Sequence, residues 1–209
     1  MSSPATQPDF GSARPGGRTA RTRAAVRDAT LAELAAHGYR GLTVDGVAER
    51  SGVHRTTVYR RWGGVDGLVV DALDLAGEDG WQPPDTGGFA GDCRALAAEV
   101  HRSFADPAQG AASAAVVAAS FQSPRAAEAL RGFYADRNAR SEVIVSRAVD
   151  RGELPAGTDA AAVVRAVVAP LFHRLFITRE PLDAGVAEQA AEAAVAAALA
   201  GVFQLPSGA

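Results

Sequence analysis

Val26, Ala29, Thr30 and Leu34 recur at spacings of three and four, which predicts a first helix over about Thr19 to His37. Gly38, in "HGYRG", supplies its stop. Thr43 suits the cap of a second, short helix running to about Ser51, with Val44, Val47 and Ala48 as its inward stripe and Gly52 as a left-handed exit. Glycine at Gly46 inside that helix costs about 1 kcal/mol relative to alanine, so packing must hold it. A third helix is expected from about Arg55 to Trp62, ended by Gly63 and Gly64. A fourth, from about Val65 to Ala76, carries Leu68, Val69, Ala72, Leu73 and Leu75. Helix, glycine turn, helix over so short a span is the pattern of a helix-turn-helix.

"GEDGWQPPDTGG" then interrupts the periodicity and marks a boundary between two modules. Beyond it the apolar pattern predicts five more helices: about Phe89 to Phe104, Gly110 to Phe121, Pro124 to Arg151, Asp159 to Thr178, and Asp183 to Phe203. Proline marks starts or breaks at Pro107, Pro124, Pro155, Pro170 and Pro181. With alanine as the dominant filler and no strand-like alternation, the expected fold is all-α, with about nine helices. The divisions are a disordered basic arm (1–18), a helix-turn-helix module (19–78), a linker (79–87) and a larger helical bundle (88–205). The arm holds three prolines and three glycines with almost nothing to bury. The last two helices carry "AAAVVRAVVAPLFHRLFI" and "AEAAVAAALAGVF", apolar over so much of their circumference that a second copy of the chain is the natural partner.

Charge separates the two modules. The net charge is −3, yet residues 1–70 hold ten arginines against six acids, while residues 71–209 hold eleven against eighteen. There is no lysine, and the single cysteine, Cys93, reads as a small packed hydrophobe. No apolar h-region follows the start, and no apolar run approaches the roughly 18 residues of a membrane helix, so a cytoplasmic protein with no membrane partner is expected. His37, His54, His101 and His173 lack metal-ligand spacing, and neither a phosphate-binding glycine loop nor a Gly-x-Ser-x-Gly turn is present. Glu153 and Asp159, in "RGELPAGTD", read as solvent-facing and capping groups. No enzyme activity, cofactor or metal is expected.

The candidate chemistry lies in "GVHRTTVYRRW". On a helical wheel Val53, Val58 and Trp62 face inward, leaving Arg55, Thr56, Thr57, Tyr59, Arg60 and Arg61 outside. Arginine forks fit guanine edges or phosphate oxygens, threonine fits a base edge or thymine methyl, and a tyrosine hydroxyl suits a phosphate. A helix roughly 10 to 12 Å across enters a major groove. The plainer reading is an ordinary solvated face, but such faces mix both signs, and acids vanish from Ser51 to Val65. Arg14, Arg18, Arg21 and Arg23 make the arm junction basic, as a solvated tail or as an arm into a minor groove.

The order of these residues carries a resemblance. "RTRAAVRDATLAELAAHGYRGLTVDGVAERSGVHRTTVYRRWGGVDGLVVDAL" looks like the DNA-binding domain of the TetR family of bacterial transcriptional regulators, and "RGELPAGTDAAAVVRAVVAPLFHRLFITREPLD" is similar to the ligand-sensing domain of one of its subgroups. The resemblance implies an all-helical homodimer whose third helix reads DNA and whose last two helices form the interface. In that family the positions matching Thr43, Arg55, Thr56, Thr57, Tyr59 and Arg61 commonly touch DNA; Arg60 is added from the wheel. One departure is Val65, where many members carry a lysine that grips a phosphate.

The implied function is a ligand-released repressor on a palindromic double-stranded operator. The alternatives are an activator, a low-specificity architectural DNA binder, or a helical small-molecule-binding protein without DNA function. Phe104, Phe121, Phe133, Tyr134, Phe172, His173 and Phe176 are the bulky residues available to line an effector pocket, although each fits a core position or, for His173, a dimer interface equally well. The scarcity of charge around them favours an apolar or amphipathic effector.

Overall fold

The computed structural model describes residues 16–206; among them lie ten α-helices, one π-helical turn and no strand. The first four helices are α1 (Gly16–Gly41), α2 (Val44–Ser51), α3 (Arg55–Trp62) and α4 (Val65–Gly77). Arg18, expected in the basic arm, is helical in α1, whereas Arg14 lies outside the described residues. Gly38 interrupts α1 where the sequence placed its stop, with φ 65° and ψ 178°. Gly52 and Gly63 exit α2 and α3 at φ 67° and 76°, a backbone region that glycine enters without steric penalty. These two exits set the angle between α2 and α3 and the immediate restart at α4.

The bundle comprises α5 (Phe89–Ala105), α6 (Pro107–Ser120), α7 (Pro124–Ser141), α8 (Val143–Asp150), α9 (Ala160–Phe172), a π-helical turn (His173–Thr178) and α10 (Ala184–Leu199). Asp106, Ser123, Asp159 and Asp183 cap four of these helices through their side-chain oxygens. Glu153 caps as well, but on a distant helix: it accepts from Phe89 N of α5 at 2.7 Å.

Two expected helices differ from the sequence reading. The stretch from Pro124 to Arg151 is two helices divided at Glu142. Buried Ser141 donates its hydroxyl back to Arg137 O at 2.8 Å, a bond that bends helices. The stretch to Thr178 ends in a π turn from His173, three residues beyond Pro170, whose missing N–H already removes one α-ladder bond upstream. Ala160–Thr178 also corrects the membrane reading: it is long and apolar enough to cross a bilayer by length and composition. Arg165, His173 and Arg174 made the run look interrupted, yet one full span tolerates so few charges. Here it packs on α5, α7, α8 and α10 through Val163, Val164, Val167 and Leu171.

There are two cores. One joins α5, α8, α9 and α10, where Ala187, Ala190, Ala191, Ala194 and Ala198 let the last helix approach closely. The other joins α1–α4 and extends into the bundle through Val116 and Ala119 of α6 and Ala126 of α7. The α6–α7 hairpin therefore belongs to the helix-turn-helix by packing and to the bundle by chain order. Cys93 is buried in the first core, where desolvation and neighbouring Asp92 push its thiol up to about 12, so it acts as a hydrophobe.

Residues 78–88 link α4 to α5 and are strapped down. Arg137 pairs with Asp79 at 2.8 Å and stacks over the Trp81 ring at 4.6 Å. Arg140 donates to Trp81 O at 3.1 Å and Arg147 to Pro84 O at 3.0 Å.

Candidate nucleic-acid interface and effector cavities

Helix α3 buries Val58 and Trp62 and little else. Trp62 Nε1 donates to Asp71 Oδ2 of α4 at 2.8 Å, and Asp71 Oδ1 accepts from Arg23 Nε of α1 at 2.7 Å. One carboxylate thereby fixes three helices. Arg23, counted above with the basic junction, is committed inward, since it also binds Glu78 at 2.8 Å. Gly67 lets α3 end directly on α4: a Cβ there would lie 1.8 Å from Trp62 O.

A second carboxylate seats α2. Glu33 of α1, only 8% exposed, accepts from Arg50 Nε at 2.7 Å, and a Cβ on Gly46 would lie 2.8 Å from its Oε2. The glycine that weakens the helix locally leaves room for this contact. Thr43 Oγ1 accepts from Gly46 N at 3.0 Å, as a cap should.

The outward face brings together the DNA-contact candidates. Arg55, Thr56, Tyr59, Arg60 and Arg61 are exposed, Thr57 is half-buried, and exposed Thr43 stands at the adjoining start of α2. His54 caps α3 through Nδ1, which accepts from Thr56 N at 3.4 Å. Arg55 lies 3.3 Å from Asp45 Oδ1 and 5.7 Å over the Tyr59 ring, while Arg61 lies 5.0 Å over Trp62. Arg60 and Arg61 fall in the last turn of α3, where cations complement the helix dipole. The surface is a donor-rich rod of groove-compatible width. Half-buried Val65 begins α4 beside it without a charge.

Asp66, in the first turn of α4, links this head to the bundle. It accepts from Ser123 Oγ of the α6–α7 turn at 2.5 Å and from the Tyr39 hydroxyl of α1. Those two bonds, Ser123's first, hold its carboxyl below the usual carboxylate range; burial and then the Asp66 bond push the Tyr39 phenol up. Nothing in the sequence pattern pointed to Asp66, Asp71 or Glu33, since each looks like an ordinary charged position.

The aromatic candidates largely converge. Phe104, Phe172 and Phe176 meet with centroids 5.5 to 6.1 Å apart, and Tyr134 joins them at 5.4 Å from Phe172 and 5.3 Å from Phe133. Two cavities flank Tyr134. A groove of about 370 Å³ between α6, α7, α9 and the π turn is lined by Tyr134, Phe172 and Phe176 together with Val117, Asn138 and Arg165. A cavity of about 460 Å³ lies between α1, α4, α6 and α7, with Phe133 and Tyr134 in its wall. Phe121 is 84% exposed at the end of α6, and His173 is exposed; neither lines these cavities.

A helix-turn-helix with an acid-free outer helix, carried on a helical bundle, defines a DNA-binding regulator. The family model "Bacterial regulatory proteins, tetR family" matches residues 26–72, and "Tetracyclin repressor-like, C-terminal domain" matches residues 83–194. The HTH-type transcriptional regulator AqdR of Rhodococcus erythropolis is 33% identical over 159 residues, 76% of each chain. Among solved structures, the TetR family transcription regulator SCO0332 superposes with TM-score 0.65 at 28% identity, covering 87% of this chain and 98% of that one. The SmeT–triclosan complex superposes with TM-score 0.59 at 19% identity, covering 89% and 93%. The chain belongs to the TetR family of bacterial transcriptional regulators.

Proposed function

We propose that the chain is a ligand-released repressor that binds a palindromic operator as a homodimer in the cytoplasm. The observation that carries this reading is the outer face of α3, whose arginines, threonines and tyrosine project from a helix fixed by Trp62 and Asp71. Two such helices about a two-fold axis read half-sites about 34 Å apart, one helical turn of DNA or somewhat more. Thr43, Arg55, Thr56, Thr57, Tyr59, Arg60 and Arg61 are the proposed contacts. The partner surface is the outer face of α9, the π turn and α10, where Ile177, Leu199 and Val202 remain exposed.

The effector is an apolar or amphipathic molecule held in the groove of Tyr134, Phe172 and Phe176. It empties the operator by favouring a dimer whose reading helices miss the half-site spacing, which takes a differential affinity of a few kcal/mol. Arg60, Arg61 or the N-terminal arginines replace the phosphate grip that Val65 lacks. An Arg14→Ala/Arg18→Ala variant with unchanged affinity and salt slope would rule out the arm's share.

Selection of bound genomic fragments at physiological salt, followed by a screen for compounds that release them, tests the whole reading. One or a few protected palindromes, freed by a small molecule, are expected. Uniform coating of DNA would replace this reading with an architectural one, and activation of the flanking gene on binding would reverse its sign.

A further inference from the structure

We propose that the cavity between the helix-turn-helix and the bundle is a second small-molecule site, built for a neutral, flat aromatic compound bearing a hydroxyl or carbonyl group. At about 460 Å³ it falls within the usual range of ligand pockets. It shares only Leu130 and Tyr134 with the effector groove.

Its chemistry follows from which polar groups are satisfied. Four helical serines bond back to the preceding turn, Ser51 to Ala48 O at 3.4 Å, Ser103 to Glu99 O at 2.9 Å, Ser120 to Val117 O at 2.7 Å and Ser141 to Arg137 O, whereas exposed Ser146 of α8 makes no such bond among the described residues. Ser113 of α6, in the cavity wall, makes no such bond among the described residues. The hydroxyl of half-buried Tyr134, in the same wall, likewise has no side-chain partner among the described residues, and Gln109 beside it is exposed. Half-buried Ser113 and Tyr134, with exposed Gln109 at the mouth, thus share the wall of one mostly apolar space with Leu31, Ala72, Leu73, Val116 and Phe133. An apolar hollow with a few convergent polar groups is the ordinary form of a ligand site.

The charges at the rim fix the ligand's neutrality. Arg27 pairs with Asp28 at 2.7 Å and Arg137 with Asp79 at 2.8 Å, so two cations and two anions balance around the cavity and neither sign is in excess. A flat ring meets the Phe133–Tyr134 pair, already edge-to-face at 5.3 Å, while alanines at Ala72, Ala76 and Ala112 leave the space for it. Burial pushes the Tyr134 phenol up, which keeps it a hydrogen-bond donor at neutral pH. An occupant here touches α1 and α4 on one side and α6 and α7 on the other, so it acts on the contact between the two halves without passing through the groove.

The test is calorimetric titration of the full chain, without DNA, using 2-naphthol and its anionic counterpart 2-naphthoate. Because no DNA is present, the outcome is independent of the repressor reading. Naphthol is expected to bind at millimolar concentration or below, and naphthoate at least about tenfold more weakly, as desolvating a charge without a partner demands. Ala112→Phe, which fills the cavity, removes naphthol binding. Ser113→Ala weakens it about 2- to 10-fold, one hydrogen bond's worth. Ala169→Phe, at a residue of α9 that lines the groove and not this cavity, leaves it unchanged. If Ala112→Phe fails to fold by circular dichroism, Ser113→Ala and Ala169→Phe decide. No naphthol binding, equal binding of both probes, an unaffected Ser113→Ala, or loss on Ala169→Phe would each overturn the proposal.

Discussion

Helices α3 and α9 stand at opposite ends of one scale. α3 buries Val58 and Trp62 and turns the rest of its surface outward, whereas α9 buries Val163, Val164, Val167, Val168 and Leu171 and continues into a turn with more apolar surface than one chain covers. The first borrows its shape from α1 and α4 through Trp62 and Asp71; the second leaves apolar surface that the proposed dimer would cover. A surface that reads charged DNA has to be polar, so its order must be imposed from beneath. A surface that joins two chains can be its own adhesive.

The largest effect should come from removing what lies under α3. Trp62→Ala is expected to cost about 3 to 5 kcal/mol, seen as a lower thermal midpoint, and to abolish specific DNA binding. The opposite end of the comparison is broken by Ile177→Glu with Leu199→Glu, at side chains 71% and 60% exposed. Sedimentation should then show a single chain, with operator affinity lower by about a hundredfold or more through lost bivalency; an intact dimer would refute the proposed surface.

Smaller changes sharpen the outer face itself. Arg55→Ala and Thr57→Ala should each relax a base preference by about 1 to 3 kcal/mol in a binding-site selection. Tyr59→Phe should weaken all sites alike. Normal operator binding by all three would dismiss α3 as the reader. The smallest effect belongs to Asp66→Asn, expected to lower stability by about 1 kcal/mol at neutral pH. Since the folded state holds the Asp66 carboxyl below its ordinary value, its contribution is full above the unfolded pKa and fades as pH falls through the folded one. The melting difference between variant and wild type should therefore shrink in acid.

The local structure around α3 was legible because it rests on short-range chemistry. Thr43 starts α2 through its side-chain oxygen, Gly52 and Gly63 end α2 and α3 by their left-handed backbone, and Val58 and Trp62 face inward by period alone. What escaped notice depends on partners far along the chain. Glu33, Asp66 and Asp71 look like solvated positions until Arg50, Ser123 and Trp62 arrive. The division at Glu142 was hidden because neither glycine nor proline marks it, and the bend comes from a side-chain bond. Among the aromatics, Phe172 and Phe176 gather because the π turn stacks them, 6.1 Å apart, whereas Phe121 follows the last turn of α6 into solvent. Bulk marked all of them as pocket candidates, and only tertiary position separates them.

The strapped segment between α4 and α5 bears on how the molecule can be taken apart. Two prolines and several glycines advertise a loose tether, the sort of chain a protease cuts first. Arg137, Arg140 and Arg147 instead hold it along α7 and α8. Limited digestion should leave this stretch uncut in the native protein and open it once Arg137→Ala and Arg140→Ala release it; early cleavage of the wild type here would contradict the strap. Arg137 also donates to Ala76 O at 3.5 Å, so one side chain joins α7 to the foot of α4 as well as to the segment that follows it.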